Sequence, residues 1–175
     1  MSEELVLYTV RPPRLADAPQ LGELHVQVWR QAYAGIMSEE YLAGLRPADR
    51  AERWRAIAAE EAEGVAAADG KVTRVAEHPD GGIVGFATVA PARDDEPPVP
   101  LELWAINVLA EFHGTGAAGQ LLAATLGDRS AYLWVVEGNQ RAIAFYRKHG
   151  FELDGERAVH DASGTPEVRM VRPPA

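Results

Sequence analysis

The chain has 175 residues, 47% of them apolar, and a formal net charge of −9. This length and composition predict one globular domain over residues 1–175 with a complete hydrophobic core. The sequence contains no cysteine, which excludes disulfides, thiolate catalysis and cysteine-ligated zinc. The acidic balance argues against nucleic acid as a partner, and no run of about 18 apolar residues indicates a membrane span or a membrane partner.

The N-terminal segment, MSEELVLYTVRPP, is acidic and short of apolar side chains, so it does not resemble a signal peptide. Together with the absence of cysteine, this favours a cytoplasmic location. An acidic surface attracts cationic small molecules or peptides. A monomer and a homodimer are both compatible with the sequence.

The first third of the chain alternates briefly and then takes on helical periodicity. Asp17 and Ser38 are placed to cap the first two helices, and Pro47 separates the second helix from the third. The predicted elements are, in order, a strand at 5–10, a helix at 18–34, a short helix after residue 38 and a helix at 48–63.

From residue 72 onward, strands alternate with two helices. Asn139 is placed to cap the second of these helices. The predicted elements are strands at 72–77, 83–89 and 101–109, a glycine turn with its helix at 114–127, a strand at 131–136, a helix at 140–149, and closing strands at 151–155 and 167–171. This order predicts a mixed α/β fold, with one sheet and helices on its faces.

Three glycines, Gly114, Gly116 and Gly119, lie between an apolar strand and a helix. Glycine lets main-chain N–H groups approach a ligand without an intervening side chain. The first turn of a helix adds unpaired N–H donors and a partial positive charge. The segment therefore predicts a phosphate-binding turn.

Two nucleotide-binding motifs come close to this turn. Residues 114–119 fit the dinucleotide fingerprint G-x-G-x-x-G, and Glu137 stands about where a ribose-binding acid would follow. However, residues 110–113 separate the strand from the turn, and too little chain precedes it for a dinucleotide domain. A P-loop would need Lys and Ser or Thr where Gln120 and Leu121 stand, so phosphoryl transfer has no electrostatic support.

Over about residues 83–156 the chain resembles the GNAT superfamily of acyl-CoA-dependent N-acetyltransferases. Residues 113–118 (HGTGAA) are similar to the pyrophosphate motif Q/R-x-x-G-x-G/A, with His113 in place of the usual Gln or Arg. Residues 139–151 (NQRAIAFYRKHGF) are similar to a second motif of the family. The resemblance implies a GNAT-type mixed, mostly antiparallel central sheet flanked by helices on both faces. It also implies acetyl-CoA as co-substrate and no metal.

The resemblance also implies roles for individual residues. Ile106, Asn107 and Val108 would lie along the pantetheine arm, with the Val108 N–H as oxyanion donor. Asn139 would bind pantetheine, and Tyr146, two helical turns later, would protonate the leaving sulfur. The implied pyrophosphate contacts are His113, Gly114, Thr115, Gly116, Ala117, Ala118 and Gly119.

Glu102 is the candidate general base. Alternation on a regular strand predicts that Glu102 shares a face with Trp104, Ile106 and Val108. A carboxylate within an apolar strand is costly to bury unless it has a task or a partner, and histone-type members of the family carry a base Glu at this offset. We expect Glu102 to take the amine proton, directly or through water. A solvated carboxylate at the start of the strand is the alternative.

The acceptor site is expected beside the N-terminal helices at 18–63, where Trp29 and Tyr33 are candidate substrate contacts. Trp134 stands where ribosomal-protein N-terminal acetyltransferases of the family keep a Glu, which argues against that type of base. Polyamines, aminoglycosides, amino acids, peptides and lysine side chains all remain open as acceptors. The histidines are too scattered to predict a metal site.

The predicted function is transfer of an acetyl group from acetyl-CoA to a primary amine of a small molecule or peptide. We expect direct attack in a ternary complex, because a chain without cysteine cannot form an acyl-cysteine intermediate. The alternative is a module of the same fold that binds or senses acyl-CoA without catalysis.

Overall fold

A computed structural model describes residues 5–175, so the first four residues, part of the segment compared with a signal peptide, lie outside the described residues. The seven strands are β1 Thr9–Arg11, β2 Val72–Glu77, β3 Ile83–Pro91, β4 Leu101–Val108, β5 Ala131–Val136, β6 Glu152–Val159 and β7 Pro166–Arg172. The helices are α1 Ala18–Tyr33, α2 Glu39–Ala43, α3 Pro47–Ala62, α4 Val65–Ala68, α5 Ala117–Thr125 and α6 Gln140–Lys148.

The strands form one sheet in the order β1-β2-β3-β4-β5-β7-β6. β4 and β5 are parallel, and the other neighbouring strands are antiparallel. α1 and α3 cover one face through Leu21, Leu24 and Trp54. α5 and α6 cover the other through Leu122 and Ile143. The predicted mixed sheet with helices on both faces is confirmed, and no helix in the described part of the chain is long and apolar enough to cross a bilayer.

The N-terminal strand begins later than predicted. The alternation at 5–10 predicted a strand there, but β1 covers Thr9–Arg11. The preceding residues are held by the glycine turn instead. The Val6 N–H donates to the Thr115 carbonyl at 3.2 Å, and the Gln120 side chain donates to the Val6 carbonyl at 2.7 Å and accepts from the Tyr8 N–H at 3.0 Å. Gln120, which stands where a P-loop would need lysine, therefore fixes the segment before β1.

Two of the three predicted caps are confirmed. The Ser38 hydroxyl accepts from the Tyr41 N–H at 3.1 Å, and the Asn139 side chain accepts from the Ala142 N–H at 3.2 Å. The prediction for Asp17 is wrong, since its side chain makes no capping bond to α1. Its carboxylate is already committed, because it accepts from the Arg14 N–H at 2.8 Å and pairs with Arg11 at 2.7 Å.

A β-bulge in β4 changes which side chains share a face. Val89 on β3 faces Leu103, but the next residue of β3, Thr88, faces Ala105, so Trp104 is an extra residue without a partner on β3. The extra residue reverses the alternation. Leu103 and Ile106 consequently pack into the same core cluster. The predicted shared face of Glu102, Ile106 and Val108 is wrong for this reason.

Beside the bulge, β4 and β5 diverge. Within residues 5–175 the two strands pair only between Glu102 and Tyr132, although β5 continues to Val136 and β4 to Val108. A parallel pair that opens after one bridge leaves the facing edges of both strands without a neighbour. The sheet therefore contains a V-shaped gap at its centre.

Candidate active site

A cleft of about 2130 Å³ passes through the gap between β4 and β5. Its walls come from α1 and α3 on one face of the sheet and from α5 and α6 on the other. Every site residue proposed from the sequence lines this cleft except Thr115. The Thr115 hydroxyl instead donates to the Phe112 carbonyl and bonds the Tyr8 hydroxyl, both at 2.6 Å. Thr115 therefore braces the turn from behind.

The open edge of β4 presents main-chain groups to the cleft. The Leu109 N–H donates to the Val84 carbonyl of β3 at 2.9 Å. Because alternate residues of an antiparallel strand bond to the same neighbour, the N–H and C=O of Ile106 and Val108 point away from β3, toward the gap. An extended ligand with amide groups can bond along such an edge. The main chain of Asn107 is directed to β3 by the same alternation, so Asn107 lines the cleft with its side chain.

The glycine turn supplies N–H donors at one end of this edge. Gly114 and Gly116 have φ of +79° and +94°, a region that glycine adopts at low cost. The N–H groups of residues 114–119 donate to no other residue between 5 and 175, and the first bond of α5 runs from the Gln120 N–H to the Gly116 carbonyl at 3.0 Å. Unpaired donors at a helix start fit a diphosphate.

His113 is held by the end of β4. Its Nε2 lies 2.9 Å from the Val108 carbonyl oxygen, and because a carbonyl can only accept, Nε2 carries the hydrogen. Where most of the family has Gln or Arg, this chain has a ring that fixes the Val108 peptide.

On the other side of the turn, α6 brings basic side chains that the sequence reasoning did not single out. Lys148 and His149 line the cleft, and a Cβ built on Gly119 would lie 3.9 Å from Cε1 of His149. Burial, and then the neighbouring Lys148, lower the pKa of His149. Basic residues at the end of a helix are common in sequences and do not by themselves indicate a binding site. The position of Lys148 and His149 beside the glycine turn is therefore visible only in the fold.

Tyr146 projects from α6 to the narrow part of the cleft. It is 8% exposed, and it lines the cleft. Burial, and then the nearby Tyr33, raise the pKa of Tyr146, so the phenol stays protonated at neutral pH. Burial also raises the pKa of Tyr33 to about 12. The two phenols come from opposite faces of the sheet and approach each other through the gap between β4 and β5.

Glu102 lies on the face of the sheet opposite α5 and is 1% exposed. Its Oε2 accepts from the Arg93 N–H at 3.0 Å, from Arg93 Nε at 3.2 Å and from the Tyr132 hydroxyl at 3.1 Å. Its Oε1 accepts from Arg93 Nη2 at 2.7 Å. Both oxygens are therefore engaged, and the carboxylate anchors the segment before β4 to the sheet.

Glu167 on β7 is a second carboxylate at the cleft, and the sequence reasoning missed it. β7 pairs Glu167 with Val136 of β5, which places its side chain on the face covered by Trp29 and Tyr33. It is half-buried and forms no salt bridge with a described residue. Burial is the main cause that raises its pKa, whereas the charges of His160 and Arg93 lower it. A lone Glu beside a proline in a closing strand carried no signal in sequence.

The predicted acceptor contacts, Trp29 and Tyr33, lie together at the C-terminal end of α1. Their ring centroids are 5.1 Å apart, and the Trp29 ring lies 5.8 Å from that of His160. Tyr41 and His160 are 6.5 Å apart on the same wall. The four rings enclose the side of the cleft that faces Glu167. His160 comes from the loop after β6 and, like Glu167, had no local signal.

Comparison with known proteins shows which proteins this chain is similar to. A family model described as acetyltransferase (GNAT) domain matches residues 69–153. An uncharacterised N-acetyltransferase of Bacillus subtilis, YuaI, is 28% identical over 180 residues, covering 95% of this chain and 97% of that protein. The family model and this relative together support a GNAT superfamily N-acetyltransferase.

Two further relatives extend this result. An uncharacterised N-acetyltransferase of Mycobacterium bovis, Mb2688, is 39% identical over 84 residues, which cover 45% of this chain and 51% of that protein. The crystal structure of the PaiA N-acetyltransferase from Thermoplasma acidophilum in complex with coenzyme A has a TM-score of 0.68 and 20% identity, covering 93% of this chain and 98% of that one. The GNAT family model and the relatives named as N-acetyltransferases support an acyltransferase enzyme.

Proposed function

We propose that this GNAT protein transfers an acetyl group from acetyl-CoA to a primary amine by direct attack in a ternary complex. The observation that carries the proposal is a set of main-chain groups open to the cleft: those of Ile106, the N–H of Val108 and the N–H groups of residues 114–119. Its strand part fits the two amides of pantetheine, and its turn fits the diphosphate. When bound, acetyl-CoA supplies an activated acetyl carbonyl and a thiolate leaving group.

The chain's own residues stabilise the charges that develop. The Val108 N–H points into the gap and donates to the oxyanion. The amine nitrogen forms the new N–C bond, and the C–S bond breaks with its electron pair on sulfur. The Tyr146 hydroxyl donates its proton to that sulfur. His113 holds the Val108 peptide in place through the carbonyl of the same residue.

We assign the proton of the attacking amine to Glu167. Glu102 was the expectation from sequence, but its oxygens are occupied by Arg93 and Tyr132, which makes it a positioning residue. Glu167 has free oxygens on the acceptor side of the cleft. A carboxyl with a pKa above its ordinary value is a stronger base when ionised. The base and the acid then stand on opposite sides of the reacting atoms, as proton flow from amine to thiolate requires.

The test is a broad panel of amines incubated with acetyl-CoA, with release of the free CoA thiol as the readout. We expect thiol release to depend on an amine and to produce the N-acetyl product by mass spectrometry. Calorimetry with acetyl-CoA alone separates binding from turnover. Binding without thiol release over the whole panel would instead support the non-catalytic acyl-CoA module. Failure of acetyl-CoA to bind would contradict both the acetyltransferase and the non-catalytic module.

A further inference from the structure

Arg50 on α3 is a guanidinium that faces the cleft without an acidic partner. It is partly buried and lines the cleft together with Arg53. Neither side chain forms a salt bridge or a side-chain hydrogen bond within residues 5–175. The sequence has 26 acidic residues against 17 basic ones, so acids are in excess. Arg11 and Arg169, whose side chains are 12% and 13% exposed, pair with carboxylates at 2.7 Å.

The Trp29 ring supports the Arg50 guanidinium. The guanidinium carbon lies 5.7 Å from the ring centroid, a distance at which cation and ring attract each other. Burial, and then the neighbouring Arg53, lower the pKa of Arg50, while Tyr41 and the exposed Asp49 raise it. Arginine remains charged despite such shifts. Arg50 is thus a partly desolvated cation whose planar fork of N–H donors is left without acceptors.

The neighbouring cation of Arg50 is the guanidinium of Arg53. His25 lies behind Trp29, with its Nδ1 accepting from Trp54 Nε1 at 3.2 Å. Burial, and then Arg50 and Arg53, lower the pKa of His25 to about 3, so the imidazole is neutral and adds no charge at neutral pH. Holding the partly buried Arg50 near the second guanidinium of the exposed Arg53 is unfavourable unless an anion joins them. The chain as a whole has a net charge of −9, so two neighbouring cations without acidic partners favour an anionic ligand at this place.

We propose that the acceptor is a free amino acid whose α-carboxylate is bound by Arg50, with Arg53 beside it. The proposal rests on the acetyl-transfer function above and narrows its substrate class. A guanidinium fork matches a carboxylate with two parallel hydrogen bonds. The Trp29, Tyr41 and His160 rings receive the side chain, and the α-amine is directed toward Glu167 on the facing strand. The amine loses its proton to Glu167 as the N–C bond forms.

This assignment separates the acceptors that the sequence left open. A polyamine or an aminoglycoside would bring further positive charge against Arg50 and Arg53, which costs binding energy. The N-terminal amine of a peptide is followed by an amide carbonyl, which has no charge for the guanidinium to pair. A free amino acid carries its amine and its carboxylate on the same carbon, so it offers a partner to Arg50 and a proton to Glu167.

The experiment compares L-amino acids with their carboxamides, which keep the side chain and amine but lack the negative charge. Spermidine and a short amidated peptide complete the set. With rates expressed per neutral amine, the wild type is expected to use the better amino acids at least roughly 10-fold more efficiently in kcat/KM than their amides. Arg50→Gln is expected to lower kcat/KM for amino acids roughly 10- to 100-fold, mainly through KM.

Two controls keep the result interpretable. Arg55→Gln, on the exposed side of the same helix, should leave both classes of acceptor unchanged. Arg50→Lys should recover part of the loss, because charge returns without the fork. Circular dichroism melting and acetyl-CoA affinity show whether each variant is folded. The preference for amino acids over their carboxamides is measured on the wild type. It therefore tests the proposal even if Arg50→Gln does not fold.

The carboxylate site at Arg50 and the acetyl-transfer function can fail separately in these experiments. Turnover of amides, spermidine or the peptide at rates equal to those of amino acids would overturn the carboxylate site and leave acetyl transfer standing. An equal loss of all acceptors in Arg50→Gln would do the same. Absence of thiol release with every amine, despite acetyl-CoA binding, would overturn acetyl transfer and the amino-acid site with it.

Discussion

The two halves of the cleft recognise their ligands with different parts of the chain. The cofactor half, from β4 to the start of α5, offers main-chain groups from one continuous stretch, Ile106 to Gly119. The acceptor half offers side chains from α1, α3 and the closing strands, which are far apart in sequence. A main-chain site needs only the right spacing of strand and glycine, so it leaves a motif. A site made of side chains from distant segments has no sequence motif and can be recognised only in the tertiary fold.

The largest effect is expected at Tyr146, where the cofactor half and the acceptor half of the cleft meet. Tyr146→Phe removes one hydroxyl and keeps the ring in the core. We expect kcat to fall roughly 100-fold, the scale of a lost general acid, with acetyl-CoA affinity nearly unchanged in calorimetry. Tyr33→Phe is the matched control for loss of a nearby phenol. A collapse of affinity with a normal rate per bound complex would make Tyr146 structural.

The two carboxylates on the acceptor side can be separated by pH. Glu167→Gln is expected to lower kcat/KM roughly 10- to 100-fold, and the deficit should shrink as pH rises because free amine becomes abundant. The wild-type rate should rise with pH as Glu167 loses its proton. Glu102→Gln should instead give a deficit that does not vary with pH. A pH-dependent deficit in Glu102→Gln and none in Glu167→Gln would return the base role to Glu102.

Substitution of Glu167 and substitution of Glu102 should change the stability of the fold in opposite directions. Burial raises the pKa of Glu167, so the folded chain holds that proton more tightly than the unfolded chain. The ionised carboxylate then destabilises the fold above the raised pKa, and the cost vanishes below the ordinary value. Glu167→Gln should therefore raise Tm near neutral pH and lose this gain in acid. Glu102→Gln should cost about 1–2 kcal/mol, because it leaves Arg93 with a weaker acceptor.

On the cofactor side, two glycines in one turn should behave differently. Gly116→Ala puts a Cβ at a φ of +94°, about 3.3 Å from Leu5 and Gln120 side-chain atoms, so we expect a loss of about 1 kcal/mol in unfolding free energy. Gly119 lies within α5 at an ordinary φ, and Gly119→Ala should stabilise the helix by up to about 1 kcal/mol. Both should weaken acetyl-CoA binding by several-fold. If Gly119→Ala leaves affinity intact, the diphosphate does not contact that turn of α5.

Local patterns predicted the order of elements, the fold class and the cofactor half. The glycine spacing at 114–119 and the cap at Asn139 act within a few residues, and both are confirmed as structural features. The bulge at Trp104 could not be predicted, because the residues around it, Leu103 to Ile106, are all apolar and so do not alternate between apolar and polar. Glu167, His160 and Arg50 belong to three segments that only the packing of α1, α3 and β7 brings together. Oligomeric state and cellular location stay predictions.

The smallest expected effect is at His113, where the chain departs from the family motif. His113→Arg restores a permanent cation beside the diphosphate but loses the ring bond to the Val108 carbonyl. At an exposed position the added charge is worth at most about 1 kcal/mol, so we expect acetyl-CoA to bind up to about 5-fold more tightly at low salt. The gain should fade as salt rises, and kcat should fall slightly as the Val108 N–H loses its anchor. Tighter binding that survives high salt, with kcat unchanged, would show that His113 positions nothing and that the oxyanion donor is held by β4 alone.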